Sequence, residues 1–189
     1  MRIMTFNANG IRAAARKGFF DWLPEANVDV VCVQETKAQI DQLSDPVFHP
    51  EQYSCHYFDA VKKGYAGTAI YSRQKPGKVL SGLGFEVADT EGRYIQADFG
   101  DLSVASLYLP SGSSGEEKQT RKVEFMKQFM KHMKKLNMTH TSFSKLIFLI
   151  RSKIRLLRYA AFNQAHYNDS KSSKFYFFNK KTHPVTLGP

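Results

Sequence analysis

Cysteine and long apolar runs are scarce in this sequence, and their scarcity narrows the class of protein. The 189 residues contain only two cysteines, Cys32 and Cys55, which both lie in strand-like segments. Buried free thiols in a reducing cytoplasm are therefore expected, rather than a disulfide-stapled secreted fold. The longest apolar run, at 146–150, is too short to cross a bilayer, and the N-terminus lacks the apolar segment and cleavage site of a signal peptide. We expect a globular, cytoplasmic protein with no membrane partner.

Carboxylates and glycines are also scarce, but only beyond residue 136. Residues 1–136 carry 18 Lys and Arg against 16 Asp and Glu, whereas residues 137–189 carry nine basic residues and a single acid, Asp169. Eleven of the 12 glycines precede residue 137. The formal charge of +10 favours an acidic partner such as nucleic acid, although most of the excess belongs to this tail. Two interpretations of the tail are translation in a wrong reading frame and a basic membrane- or nucleic-acid-binding helix at 142–162.

Residues 1–136 alternate between strand and helix patterns, as in α/β proteins. Segments 2–8 and 28–33 are predicted as strands on either side of a helix at 11–26. A later helix is predicted to begin near Glu116, with Ser114 and Glu117 as its capping box. Four further strands are expected at 53–59, 68–72, 94–99 and 103–109. The apolar residues of the later helix recur at helical spacing and are predicted to face the core: Val123, Met126, Met130, Met133 and Leu136.

Three polar residues stand where predicted strands end: Asn7, Glu35 and Tyr108. Side chains at strand ends of a layered α/β fold can converge on one crevice. An amide oxygen and a carboxylate suit Mg²⁺, which takes few protein ligands, and a phenol beside them can donate to a phosphate oxygen. Each residue also has an ordinary interpretation: a turn-forming Asn, a solvated Glu after a strand, and a Tyr packed at a sheet edge. Spacing alone leaves both interpretations open.

Three other segments offer candidate contacts to a nucleic acid. The loop at 62–67, with Lys63 and Tyr65, is suited to a phosphate backbone, or is a solvated hairpin turn. Arg93 is a candidate DNA contact, or a surface arginine at the start of a strand. Residues 111–115 form an anion-binding turn before a helix, or simply its cap, which is the preferred interpretation.

Five segments, in order, resemble the N-terminal half of the bacterial exodeoxyribonuclease III family of endonuclease/exonuclease/phosphatase enzymes. They are "FNANGIRAA" (6–14), "VDVVCVQETK" (28–37), "KKGYAGTAIYS" (62–72), "EGRYIQADFG" (91–100) and "LSVASLYLPSGSS" (102–114). The resemblance covers about residues 1–136 and implies the N-terminal half of a four-layered α/β sandwich of the DNase-I-like type. It implies metal-site roles for Asn7 and Glu35 and an active-site role for Tyr108 near the scissile phosphate.

The same resemblance implies a function and shows what this chain lacks for it. It implies a monomeric DNA repair phosphodiesterase that uses Mg²⁺, with Mn²⁺ as an alternative. The reactions are 3′–5′ exonuclease and abasic-site endonuclease cleavage of duplex DNA. The family also uses a Gly-Asp-x-Asn motif, a late Asp and a terminal Ser-Asp-His motif, and residues 137–189 contain none of these. We therefore expect an incomplete, inactive domain at 1–136, followed by an unmatched tail. The alternative is a non-catalytic fragment that binds nucleic acid through its basic tail.

Overall fold

Two β-sheets form the centre of the fold. A computed structural model describes residues 1–112, 115–139, 146–151, 158–161, 175–179 and 182–186, with side chains described up to residue 134. The strands are β1 (Ile3–Asn7), β2 (Val30–Gln34), β3 (Ser54–Phe58), β4 (Thr68–Ser72), β5 (Lys78–Ser81), β6 (Tyr94–Phe99), β7 (Leu102–Tyr108), β8 (Leu146–Arg151), β9 (Arg158–Ala161), β10 (Phe175–Asn179) and β11 (Thr182–Thr186). The six-stranded sheet has the order β11-β10-β1-β2-β4-β3, and the five-stranded sheet has the order β5-β6-β7-β8-β9.

Among the residues that the structure describes, four helices cover the outer faces of the two sheets. They are α1 (Ile11–Ala15), α2 (Phe19–Trp22), α3 (Glu86–Thr90) and α4 (Glu116–Thr139), and two short 3₁₀ turns lie at Ile40–Leu43 and Pro46–Phe48. Within the described ranges, no helix is long and apolar enough to cross a membrane. Both cysteines are free thiols.

Alternation along the strands sorts the apolar side chains into three cores. Met4 and Phe6 of β1 point outward into a cluster with α1 and α2, whereas Ile3 packs between the sheets with Val104 of β7. On the far side, β7 packs against α4 through a cluster that includes Phe125. Because side chains alternate across a strand, each sheet has two apolar faces here. The layers are helix, sheet, sheet and helix, so the predicted four-layered α/β class is confirmed.

The single helix predicted at 11–26 is wrong. The chain forms two short helices separated at Gly18, which has a φ of 79°. A left-handed residue ends an α-helix, and glycine adopts this conformation without the steric cost that a Cβ imposes. The break lets Phe19 and Phe20 both reach the cluster beneath the first sheet.

Most predicted strands are present with small boundary changes. Those at 68–72 and 94–99 agree with β4 and β6, and those at 2–8, 28–33, 53–59 and 103–109 differ by at most two residues at either end. The later helix begins at Glu116 as predicted. Strand β5 and helix α3 were not predicted, since both are short and lack a clear apolar period. The Ser114 half of the capping box lies outside the described residues.

The basic helix considered for 142–162 is wrong where the structure describes that segment. Residues 146–151 and 158–161 are the strands β8 and β9 instead, and β8 pairs in parallel with β7. Strands β10 and β11 also come from the tail, and β10 pairs in parallel with β1. Runs of Ile, Leu, Phe and Tyr have high strand propensity, and β1 and β7 offer them unpaired edges.

Gly92 provides a test of backbone packing beside the second sheet. Its φ is 56°, and a Cβ there would overlap the carbonyl of Phe58 and lie 2.6 Å from the Asp59 backbone. We expect Gly92→Ala to lower the free energy of unfolding by about 3 kcal/mol, since left-handed strain and overpacking add. Gly100→Ala is the matched control, because its φ is 63° with open space around it, and it should cost only about 1 kcal/mol. Equal losses in urea unfolding would contradict the predicted clash.

Candidate active site

Asn7 and Glu35 meet because their strands are parallel neighbours. Strands β1 and β2 run side by side, with Asn7 opposite Gln34, so both strands end at the same edge of the sheet. If side chains kept alternating across β2, the Glu35 side chain would point towards α1 and α2. Its φ of 57° ends the extended conformation, and the Asn7 Nδ2 donates to Glu35 Oε1 over 2.7 Å. The carboxylate therefore lies at the end of the inter-sheet cleft.

Left-handed backbone conformations concentrate around this carboxylate. Of five non-glycine residues with positive φ among the described residues, four lie here: Asn9, Glu35, Lys37 and Ala66. They are connected through the backbone, since Gly10 N donates to Glu35 O over 2.8 Å and Lys37 N to Ala66 O over 2.9 Å. Such conformations cost free energy and occur most often at functional sites. The backbone geometry thus marks the same location as the side chains.

Glu35 is held as an anion by three polar neighbours. Besides Asn7, Lys37 Nζ lies 3.1 Å from Glu35 Oε2, and the Tyr108 hydroxyl interacts with the carboxylate through hydrogen bonding. Burial alone would raise the pKa of Glu35, but the hydrogen bonds from Asn7, Lys37 and Tyr108 outweigh it and lower the pKa. Burial and the nearby Glu35 charge raise the pKa of Tyr108, so its phenol remains protonated.

Tyr108 reaches this point from the other sheet, and a buried polar contact aligns the two sheets there. Gln34, fully buried, donates from Nε2 to Ser106 Oγ over 3.0 Å. Ser106 Oγ in turn donates to the Val33 carbonyl over 2.9 Å, and Thr5 Oγ1 donates to Gln34 Oε1 over 3.1 Å. Tyr108 follows Ser106 on the same face of β7. The structure therefore brings all three strand-end residues together.

Arg93 lies inside the protein, beside Tyr108 and Tyr65. It is only 1% exposed, so the surface arginine is wrong. Its guanidinium lies 4.8 Å from the Tyr108 ring centroid, and its Nη2 donates to the Tyr65 hydroxyl over 3.2 Å. Arg93 therefore connects Tyr65 to the site, whereas Lys63 is exposed in the neighbouring loop.

Sequence reasoning missed two charged residues around the site, Lys37 and Glu91. Lys37 contacts Glu35 and donates to Asn9 Oδ1 over 2.6 Å. Glu91 binds two arginines, Arg93 and Arg121. Lys37 and Glu91 both lie within the segments that carry the family resemblance, but nothing in their local pattern distinguishes them from solvated charges.

The donor set fits a hard divalent cation. Glu35 is ionised, half-buried and 2.7 Å from an amide side chain that also has an oxygen. Among the described residues, no group of three His, Cys, Asp or Glu lies close enough to hold a metal. Mg²⁺ binds through one or two protein ligands and keeps several waters, whereas zinc sites need more N or S ligands. Glu35 and Asn7 thus fit a divalent cation that completes its shell with water.

Comparison with known proteins identifies the family. The sequence profile of the Endonuclease/Exonuclease/phosphatase family matches residues 4–170. The chain belongs to this family. The match extends past residue 136, the predicted end of the domain.

Relatives within the endonuclease/exonuclease/phosphatase family are nucleases by name. An exodeoxyribonuclease from Bacillus subtilis is 36% identical over 138 residues, which are 72% of this chain and 54% of that protein. A DNA-(apurinic or apyrimidinic site) endonuclease from Dictyostelium discoideum is 30% identical over 74% of this chain and 39% of that protein. The solved AP endonuclease from Archaeoglobus fulgidus superposes with a TM-score of 0.65 at 29% identity, over 78% of this chain and 55% of that one. The chain thus spans about half the length of these relatives.

The lowered pKa of Glu35 makes part of the stability dependent on pH. A carboxylate whose pKa is depressed by folding stabilises the fold above its unfolded pKa, about 4.3 for Glu, and this contribution is lost as the pH falls through the folded value. We expect the loss of unfolding free energy in Glu35→Gln to be largest near about pH 6 and to shrink towards about pH 2.5. Urea unfolding measures it, with Glu51→Gln, at an exposed position, as the control. A loss that stays constant across this range would refute the stabilised carboxylate.

Proposed function

We propose that this chain carries the N-terminal part of a metal-dependent DNA phosphodiesterase site, of the kind that cleaves duplex DNA at abasic sites and 3′ ends. The observation that carries the proposal is the meeting of Asn7, Glu35 and Tyr108 at the common end of both sheets. The names of the Bacillus and Dictyostelium relatives support DNA as the substrate.

Each of these residues has a distinct role at the scissile phosphate. Glu35 and Asn7 would hold the cation, with Mg²⁺ favoured and Mn²⁺ as an alternative, through the carboxylate and the amide oxygen. When bound, such a cation polarises the phosphate and stabilises charge on the leaving oxygen. Tyr108 keeps its proton because burial raises its pKa, so its hydroxyl is a donor to a phosphate oxygen. In this structure the Tyr108 hydroxyl is hydrogen-bonded to Glu35, and it would be available to a phosphate oxygen if the carboxylate were occupied by a cation.

The loop at 62–67 supplies the contact to the DNA backbone in this proposal. Lys63 is exposed beside the site and attracts phosphate by charge. Tyr65 is half-buried, with its hydroxyl bound to Arg93, so it presents a fixed aromatic surface. Arg93 acts on DNA only indirectly, since its guanidinium is buried among protein groups.

The level of activity in this chain is a separate part of the proposal. The family motifs that handle protons and orient water are absent from residues 137–189, so we propose that the chain is inactive as a nuclease. A non-catalytic nucleic-acid-binding role is the second candidate, favoured by the net positive tail.

Free thiols at both cysteines support a reducing, cytoplasmic compartment, and we propose that the chain is a monomer.

Divalent cation binding tests the proposed site without relying on turnover. Mn²⁺ titrated into the purified chain and followed by electron paramagnetic resonance should bind weakly, because two ligands supply only part of the shell. Glu35→Ala should weaken this binding by at least about 10-fold, the usual scale for losing one charged ligand contact. Glu51→Ala removes an exposed carboxylate elsewhere and should leave binding unchanged. Equal Mn²⁺ affinity in Glu35→Ala and the parent chain would refute the metal site.

A further inference from the structure

A buried arginine behind the candidate site has no role in the metal and phosphate contacts described so far. Arg93 is 1% exposed, although arginine is almost never fully buried without partners. Its guanidinium makes three hydrogen bonds to protein groups. Nε donates to Glu91 Oε2 over 2.6 Å, Nη1 to the Tyr108 carbonyl over 2.9 Å, and Nη2 to the Tyr65 hydroxyl over 3.2 Å. A planar guanidinium that makes three hydrogen bonds is held in one orientation.

The same guanidinium also contacts the Tyr108 ring. Its central carbon lies 4.8 Å from the Tyr108 centroid and 5.8 Å from the Tyr65 centroid. The backbones of Arg93 and Tyr108 are also hydrogen-bonded, since Tyr108 N donates to the Arg93 carbonyl over 2.9 Å. Tyr108 is therefore held at its amide, its carbonyl and its ring by a single residue.

Glu91 fixes Arg93 and connects it to helix α4. One carboxylate oxygen accepts from Arg93 Nε, and the other accepts from Arg121 of α4. The Glu91 side chain is 15% exposed, so water competes little for these contacts. The short loop that carries Glu91 also contacts the loop at 62–67, because Gly67 N donates to the Glu91 carbonyl over 3.2 Å.

We propose that Arg93, held by Glu91, is a positioning residue that fixes the Tyr108 ring so that its hydroxyl faces Glu35. The role of that hydroxyl on a phosphate rests on the proposed function, but the positioning itself concerns the protein alone. Lysine keeps the charge and loses the planar fork, so Arg93→Lys should release the ring.

Hydroxyl-radical footprinting read by mass spectrometry tests the positioning directly. Tyr108 is half-buried in the native chain, and a released ring becomes more accessible. We expect Arg93→Lys to raise oxidation of Tyr108 by about 3-fold, because a half-buried ring gains only a few-fold in accessibility when its cation–π contact is released. Tyr71 is fully buried and should stay unoxidised, which shows that the variant is folded. Arg73→Lys is the matched control, since Arg73 lies 5.6 Å from the Tyr53 ring, away from the site, and it should leave Tyr108 unchanged.

A second variant decides the question if Arg93→Lys does not fold. Glu91→Gln preserves the shape of the side chain and weakens its hydrogen bond to Arg93. It should therefore raise Tyr108 oxidation in the same direction but by less, about 2-fold, since Arg93 keeps its other contacts. Unchanged Tyr108 oxidation in a folded Arg93→Lys chain, or in Glu91→Gln where Arg93→Lys does not fold, would overturn the proposal.

Binding of a duplex that contains a tetrahydrofuran abasic-site analogue separates this inference from the proposed function. If Tyr108 acts on the phosphate, Arg93→Lys and Tyr108→Phe should each weaken binding by about 5-fold, and the double variant should be no weaker than either, because the two residues act as one unit. Fully additive losses would show that Arg93 acts through overall stability and would overturn the positioning role. Absence of binding in the parent chain would instead reject the proposed function, and the footprinting result would still decide the role of Arg93.

Discussion

Incubated with abasic-site duplex DNA and Mg²⁺, this chain is expected to cleave at least about 10⁴-fold more slowly than the Dictyostelium discoideum abasic-site endonuclease. The Gly-Asp-x-Asn and Ser-Asp-His motifs of the family are absent from its sequence. Acid–base groups of that kind are each worth about 10²–10⁴-fold in rate. Glu35, Asn7 and Tyr108 position a phosphate and a cation, but they provide no base for the attacking water. Gel analysis of labelled duplex measures the rate.

The decisive control for this prediction is Glu35→Ala in the same preparation. A trace of contaminating nuclease would be insensitive to the substitution. Robust cleavage that Glu35→Ala abolishes would mean that residues beyond 136 complete the site, and the proposed inactivity would be wrong. The chain should be verified by mass, since a longer product would carry the missing groups.

Gln34→Ala is expected to lower the free energy of unfolding by about 4 kcal/mol, the largest effect we anticipate for a single polar side chain here. Gln34 is fully buried and connects the two sheets. Truncation leaves a cavity and removes the acceptor of the Thr5 hydroxyl, which then stays buried without a partner. Chemical denaturation monitored by circular dichroism measures the loss.

Two further variants separate the polar part of this effect from the cavity. Gln34→Met preserves most of the volume, so its cost of about 2 kcal/mol should come mainly from the lost hydrogen bonds. Gln128→Ala removes a glutamine from α4 whose side chain contacts Glu124 across an exposed 3.3 Å hydrogen bond, and it should cost less than about 0.5 kcal/mol. A cost for Gln34→Ala as small as for Gln128→Ala would show that the contact does not hold the sheets together.

The strand-end residues of the site were predictable because their information is local. The strand β2 is apolar up to Gln34, so an acid directly after it stands out. Parallel neighbours end at one edge of a sheet, which brings Asn7 and Glu35 together once the strand–helix–strand unit is recognised. The roles of Asn7, Glu35 and Tyr108 stay predictions until binding and cleavage are measured.

The features that could not be predicted from the sequence depend on contacts between groups far apart in the chain. Arg93 is buried because Glu91, Tyr65 and the Tyr108 carbonyl satisfy it together, and its own neighbours in sequence give no sign of this. The break at Gly18 was missed because apolar residues keep their helical spacing on both sides of it. The strands β8 and β10 were not predicted because they form by pairing with the free edges of β7 and β1. Those edges exist only in the folded sheets and leave no local sign in the sequence.

The inter-sheet contact at Gln34 also sets an order of events when the chain folds. Asn7 and Glu35 are separated by 28 residues, whereas Gln34 and Ser106 are separated by 72. Contacts at long sequence separation form slowly, because the loop between them must close first. On the ribosome Asn7 and Glu35 can come together soon after β2 emerges. Tyr108, at the end of β7, is made only after the four strands β3 to β6. Until then the Glu35 carboxylate faces solvent on the open face of the first sheet.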